Sequence, residues 1–124
     1  MGLPALILFS ALSAVTVLAA AEDDGLALGE RSPGEITVEE RAQMIRATNM
    51  YNNCVYKQAT DNINSAPDIR LIAERALRAC QAQLSGLQDL IHDWKFPAYF
   101  AYGYTRAVRA RAARNILAEL ATGK

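Results

Sequence analysis

From Ile69 to Trp94 apolar residues recur with the period of an α-helix, and no other feature constrains the fold as strongly. Ile69, Ile72, Ala73, Ala76, Leu77, Cys80, Leu84, Leu87, Leu90, Ile91 and Trp94 share one arc of a helical wheel. The opposite side carries Arg70, Glu74, Arg78, Gln81, Ser85 and Asp89, with Glu74 and Arg78 at the favourable i, i+4 spacing. A helix over about 67–94 is therefore expected, with Pro67 in its first turn. Cys80 lies at the centre of its apolar face.

The chain has one other cysteine, Cys54, in a second helix-like stretch that stops near Asn62-Ile63-Asn64-Ser65. At about 1.5 Å of rise per residue, Cys54 lies about 15 Å before the turn and Cys80 about 20 Å after it. An antiparallel hairpin brings the two to nearly the same height, so a structural Cys54–Cys80 disulfide is expected. There is no CxxC, no CxxCH and no zinc-like spacing.

The first stretch opens on Thr37-Val38-Glu39-Glu40, a capping box in which Thr37 and Glu40 satisfy each other's backbone N–H groups. It predicts a helix over 37–63 with two apolar stripes. Val38, Ala42, Ile45, Tyr56, Ala59 and Ile63 form one; Met44, Ala47, Tyr51, Cys54 and Val55 form the other. Two stripes call for two packing partners. Asn49 and Asn52 interrupt the first stripe and are read as side chains bonded within the bundle or at its rim. After Lys95-Phe96-Pro97 a third helix is expected over 97–122, with Tyr104, Val108, Ala112, Ile116 and Leu120 as its apolar row. No strand alternation competes. The expected fold is all-α: a small three-helix up-down-up array over residues 37–124, with its first two helices stapled.

Ahead of this domain, Leu3 to Leu18 is an apolar run broken by Ser10, Ser13 and Thr16, and it ends in Ala19-Ala20-Ala21 before Glu22-Asp23-Asp24. The pattern reads as a signal peptide, residues 1–21, cleaved after Ala21 to give a periplasmic or secreted protein. The alternative is an uncleaved anchor held in the membrane by residues 3–21. Residues 22–36, punctuated by Gly25, Gly29, Ser32, Pro33 and Gly34, read as an acidic flexible arm.

Thirteen basic and thirteen acidic residues cancel, but they are unevenly placed. Residues 22–40 carry a net charge of −6, and residues 94–124 a net of +5. A protein surface, an anionic membrane surface or a polymer could read the basic helix; nucleic acid is not expected of an exported chain. Six of the nine aromatic residues fall between Trp94 and Tyr104. Phase places Trp94, Phe100 and Tyr104 against the end of the bundle and leaves Phe96, Tyr99 and Tyr102 as contact candidates beside Arg106 and Arg109. His92, the one histidine, falls on the polar side of its helix. No HExxH, GxSxG, SxxK or phosphate-binding glycine loop occurs, so neither catalysis nor a cofactor or metal is expected. The expected function is a non-enzymatic protein–protein interaction of the inhibitor, immunity or accessory-subunit type. The alternatives are a membrane-associated protein with its basic helix on anionic lipid, and a carrier of a small apolar ligand.

Overall fold

A computed structural model describes residues 30–123, together with Gly2; the expected leader and residues 22–29 of the arm lie outside the described residues. The described chain is helical, without a strand. Four helices follow one short 3-10 turn at Pro33–Glu35: α1 (Val38–Asp61), α2 (Ile69–Ala79), α3 (Gln81–Asp93) and α4 (Ala98–Gly123). Cys54 and Cys80 are disulfide-bonded, with their Cα atoms 6.0 Å apart. Such a bond fits an oxidising, non-cytosolic environment. No helix among the described residues is long and apolar enough to cross a membrane.

The expected three-helix array is corrected at one residue. What the periodicity reads as a single helix over 67–94 is two, because Cys80 leaves the helical ladder at φ −99°, ψ 6°. Its N–H still donates to the Ala76 carbonyl, and its own carbonyl accepts from Gln83 in a tighter i, i+3 bond. The apolar arc runs through this break without interruption, so Ile72, Ala73, Ala76 and Leu77 of α2 and Leu84, Leu87 and Ile91 of α3 are all buried. Nor does α2 begin at Pro67. The Asp68 carboxylate accepts from the Arg70 N–H at 2.9 Å and caps the helix one residue later.

The start of α1 matches its capping box: the Glu40 N–H donates to Thr37 Oγ1 at 3.1 Å, and the Thr37 N–H donates to Glu40 Oε1 at 2.9 Å. At the same end of the bundle, α3 stops at Trp94 and Lys95 turns the chain with φ 70°. That left-handed residue after the helix end lets the backbone reverse. The Pro97 carbonyl then accepts from Ala101 N–H to open α4.

The core has two parts. One joins Tyr51 and Val55 of α1 to α2 and to Val108, Ala112, Ile116 and Leu120 of α4, around the disulfide. The other collects Met44, Leu87, Ile91, Phe96 and Ala101 at the end where α3 turns into α4. Only one of the two stripes of α1 is fully used. Met44, Tyr51 and Val55 are buried; in the other stripe Ala59 is buried and Ile63 packs against the core, whereas Val38, Ile45 and Tyr56 are exposed.

Residues 30–36 also depart from expectation, since they are tied to the bundle rather than being the free end of an arm. Arg31 is the reason. Its backbone N–H donates to the Lys95 carbonyl at 2.7 Å, and its guanidinium lies 4.4 Å from the centre of the Phe96 ring. The same guanidinium forks onto Glu40 at 2.6 and 2.8 Å and donates to the carbonyls of Glu35 and Trp94. One side chain thus joins the entry segment, the cap of α1 and the α3–α4 turn.

Candidate interaction surface

Helix α4 positions most of the residues that the sequence singles out. Tyr99, Tyr102, Arg106 and Arg109 are spaced by three, four and three residues, which stacks them in one row along the helix. Tyr99 and Tyr102 are 53% and 58% exposed. Arg106 is exposed as well, while Arg109 is half-buried and directs its guanidinium to Glu74 of α2 at 3.8 Å. The row therefore runs along the flank of α4 that faces α2, ending in a loose ion pair across two helices.

Phe96 does not join this row. It is 1% exposed, so its place among the contact candidates is corrected to the core. The cause is local: Lys95 reverses the chain before α4 starts, which turns Phe96 inward instead of continuing the helical phase. Its ring packs 5.3 Å from that of Phe100, and Phe100 packs 6.4 Å from Tyr104. Trp94, Phe100 and Tyr104 are each partly buried against the second core cluster.

This aromatic column borders the opposite flank of α4, facing α1. Clefts open to solvent run along that junction, one lined by Ile36, Arg41, Ile45, Phe100 and Tyr104 and the next by Ile45, Asn49, Asn52, Tyr104 and Arg111. Thr48 Oγ1 and Tyr104 Oη lie 3.4 Å apart between them. Asn49 is exposed and Asn52 partly so, at the rim as the sequence suggests.

Titratable chemistry is sparse. Glu40 is held down at about 2, first by the hydrogen bonds from Arg31 and then by the Thr37 N–H. That carboxylate is a structural anion, engaged on both oxygens. Burial pushes the Tyr51 phenol up, against a smaller opposing effect of Arg109. His92 is exposed at the end of α3. No group of three or more His, Cys, Asp or Glu side chains among the described residues could hold a metal ion.

Two features were missed in sequence. The Arg31 clamp had a signal in Ser32-Pro33-Gly34-Glu35, whose S-x-x-E spacing repeats the T-x-x-E of the α1 cap; Ser32 N–H does donate to Glu35 Oε2 at 2.6 Å. The burial of Phe96 had none, because it depends on the backbone of Lys95. No protein-family model matches the chain, and no curated protein or solved structure matches it either.

Proposed function

We propose that this is an exported, non-enzymatic binding protein that engages a protein partner through the Tyr99–Tyr102–Arg106 row of α4. The carrying observation is the exposure of two tyrosines, 53% and 58%, in register with an arginine on a disulfide-stapled scaffold. Tyrosine brings a large amphipathic surface with few rotatable bonds, and arginine a planar fork of donors, the combination that concentrates binding energy at protein interfaces. A rigid helix presenting them loses little conformational freedom on binding.

A protein partner is favoured over an anionic membrane by the placement of the cations. Arg106 and Arg109 belong to the flank facing α2, whereas Arg111 lines the cleft toward α1. A helix lying on lipid needs its cations and aromatics on one plane. Export is supported by the disulfide and by the apolar run ending in Ala19-Ala20-Ala21. The depressions found among the described residues are clefts open to solvent rather than enclosed chambers, which gives a small apolar ligand little cover.

The test is a native pull-down of the oxidised protein from its own cell envelope, with and without Tyr99→Ala, Tyr102→Ala and Arg106→Ala combined. Retention of a partner by the wild type and its loss from the equally stable triple variant are expected. Equal retention by both overturns the assignment of this row, and sedimentation with anionic vesicles in place of a protein partner overturns the class. An intact mass that begins before Glu22 refutes cleavage after Ala21.

A further inference from the structure

The part of the Val38 stripe of α1 that precedes Ala59 has the spacing of a helix-pairing seam. Val38, Ala42, Ile45, Asn49, Asn52 and Tyr56 follow one another at intervals of four, three, four, three and four residues. This is the alternation of inward positions in a two-helix coiled coil. Yet Val38 is 80% exposed, Ile45 52% and Tyr56 51%, and α4 reaches Ile45 and Tyr56 only along open clefts. The seam is about 27 Å long at 1.5 Å per residue, enough for about five turns of a partner helix.

Charge identifies the occupant. Arg41 borders the seam on the side of the cleft with α4, Arg46 borders it on the other side, and Arg111 of α4 lines the cleft beside Asn52. All three are exposed, and none forms an ion pair with a described residue. Of the acids nearest to them along α1, Glu40 is engaged by Arg31 and Glu39 lies seven residues before Arg46 on the same edge of the seam; Glu119 lies farther along, where the cleft passes Tyr56. The stretch from Val38 to Asn52 is thus apolar as far as Ile45, polar at Asn49 and Asn52, and net cationic at its edges, with Arg41, Arg46 and Arg111 against Glu39. A second copy of the chain fits it poorly: a parallel pairing sets Arg41 against Arg46, and a fully overlapped antiparallel pairing sets Arg46 against itself.

We infer that this face of α1, with the adjoining wall of α4, receives an amphipathic helix of a partner protein whose apolar stripe is flanked by carboxylates. Ile45 is the central apolar contact. Asn49 and Asn52 offer amide groups at inward positions, where a polar pair fixes register at some cost in affinity. The face is separate from the Tyr99–Tyr102–Arg106 row, so either assignment can fail without the other.

The experiment uses the oxidised protein and two synthetic 21-residue helices with Leu at the inward heptad positions, one carrying Glu and the other Lys at the flanking positions. By fluorescence anisotropy at low salt, the Glu helix is expected to bind at least about tenfold more tightly than its Lys twin. Ile45→Asp should weaken it about tenfold, and Arg41→Glu with Arg46→Glu about fivefold or more. Tyr99→Ala with Tyr102→Ala should leave it unchanged, and circular dichroism melts establish that each variant is folded.

Equal binding of the two helices, or none, overturns the inference. So does concentration-dependent dimerisation that Ile45→Asp abolishes, which assigns the face to a second copy. Binding that emerges only when Glu22, Asp23 and Asp24 are replaced by Ser overturns it as well, because the chain's own acidic segment then competes for the groove.

Discussion

Removing the Cys54–Cys80 bond is expected to cost the protein a large part of its stability while leaving its folded surface intact. The bond spans a sequence separation of 26 residues. On the chain-entropy model a loop of that size restricts the unfolded ensemble by about 3.5 kcal/mol at room temperature. Small domains have only about 5–15 kcal/mol in total, so the loss is visible in any denaturation curve. It corresponds to a fall in melting temperature of roughly 15–25 °C for a domain of this size. Urea titrations of the oxidised protein, the reduced protein and the Cys54→Ala/Cys80→Ala variant should place the last two about equally far below the first. The effect acts on the unfolded chain, so the helix content of the reduced protein below its melting point should be unchanged. A loss under about 1 kcal/mol refutes the reasoning, and so does a loss of helix content on reduction without denaturant. The latter would mean that the bond holds the break between α2 and α3 in place instead of confining the unfolded chain.

Two further perturbations probe polar groups. Tyr51 is fully buried and its hydroxyl lacks a hydrogen-bond partner among the described residues, so Tyr51→Phe gives up no bond and relieves a desolvated group. Thermal denaturation should show an unchanged or higher midpoint, by up to about 1 kcal/mol, and a loss greater than that overturns the account. Glu40 is lowered from 4.5 to about 2 by Arg31 and Thr37. A depressed carboxylate stabilises the fold fully above its unfolded value and loses that contribution as pH falls through its folded value, here between about 4.5 and 2. Glu40→Gln should therefore flatten the acid limb of the stability curve within that window, and parallel wild-type and variant curves from pH 5 to pH 2.5 would refute the linkage.

Much of this fold is legible in sequence because helical periodicity and capping are local. The arc from Ile69 to Ile91 is buried at nearly every position it names, and the box at Thr37 and Glu40 forms as its spacing demands. The pairing of Cys54 with Cys80 follows from equal heights on two antiparallel helices, a comparison that tolerates an error of a turn. It also tolerates the break at Cys80, which sequence does not announce: neither proline nor glycine occurs there, and the apolar phase survives the interruption. Phe96 shows the converse. Its neighbours Tyr99 and Tyr102 fall where helical phase puts them, but Phe96 precedes the helix, and a single left-handed residue, Lys95, decides that it points inward.

The two stripes of α1 expose a deeper asymmetry between fold and site. A stripe in sequence reports that a helix has a face suited to packing; it carries no information on whether the packing partner is in the same chain. Met44, Tyr51 and Val55 find theirs in the bundle, as do Ala59 and Ile63 at the far end of the second stripe, and Val38, Ile45 and Tyr56 stay exposed. Had a further described helix covered the second stripe, Asn49 and Asn52 would sit inside the fold and require partners there. Left at the surface, they cost nothing to the free protein and become selective only when another helix arrives. Burial therefore separates what sequence pattern alone merges: the positions that specify this fold, and those of the same stripe that stay open at its surface.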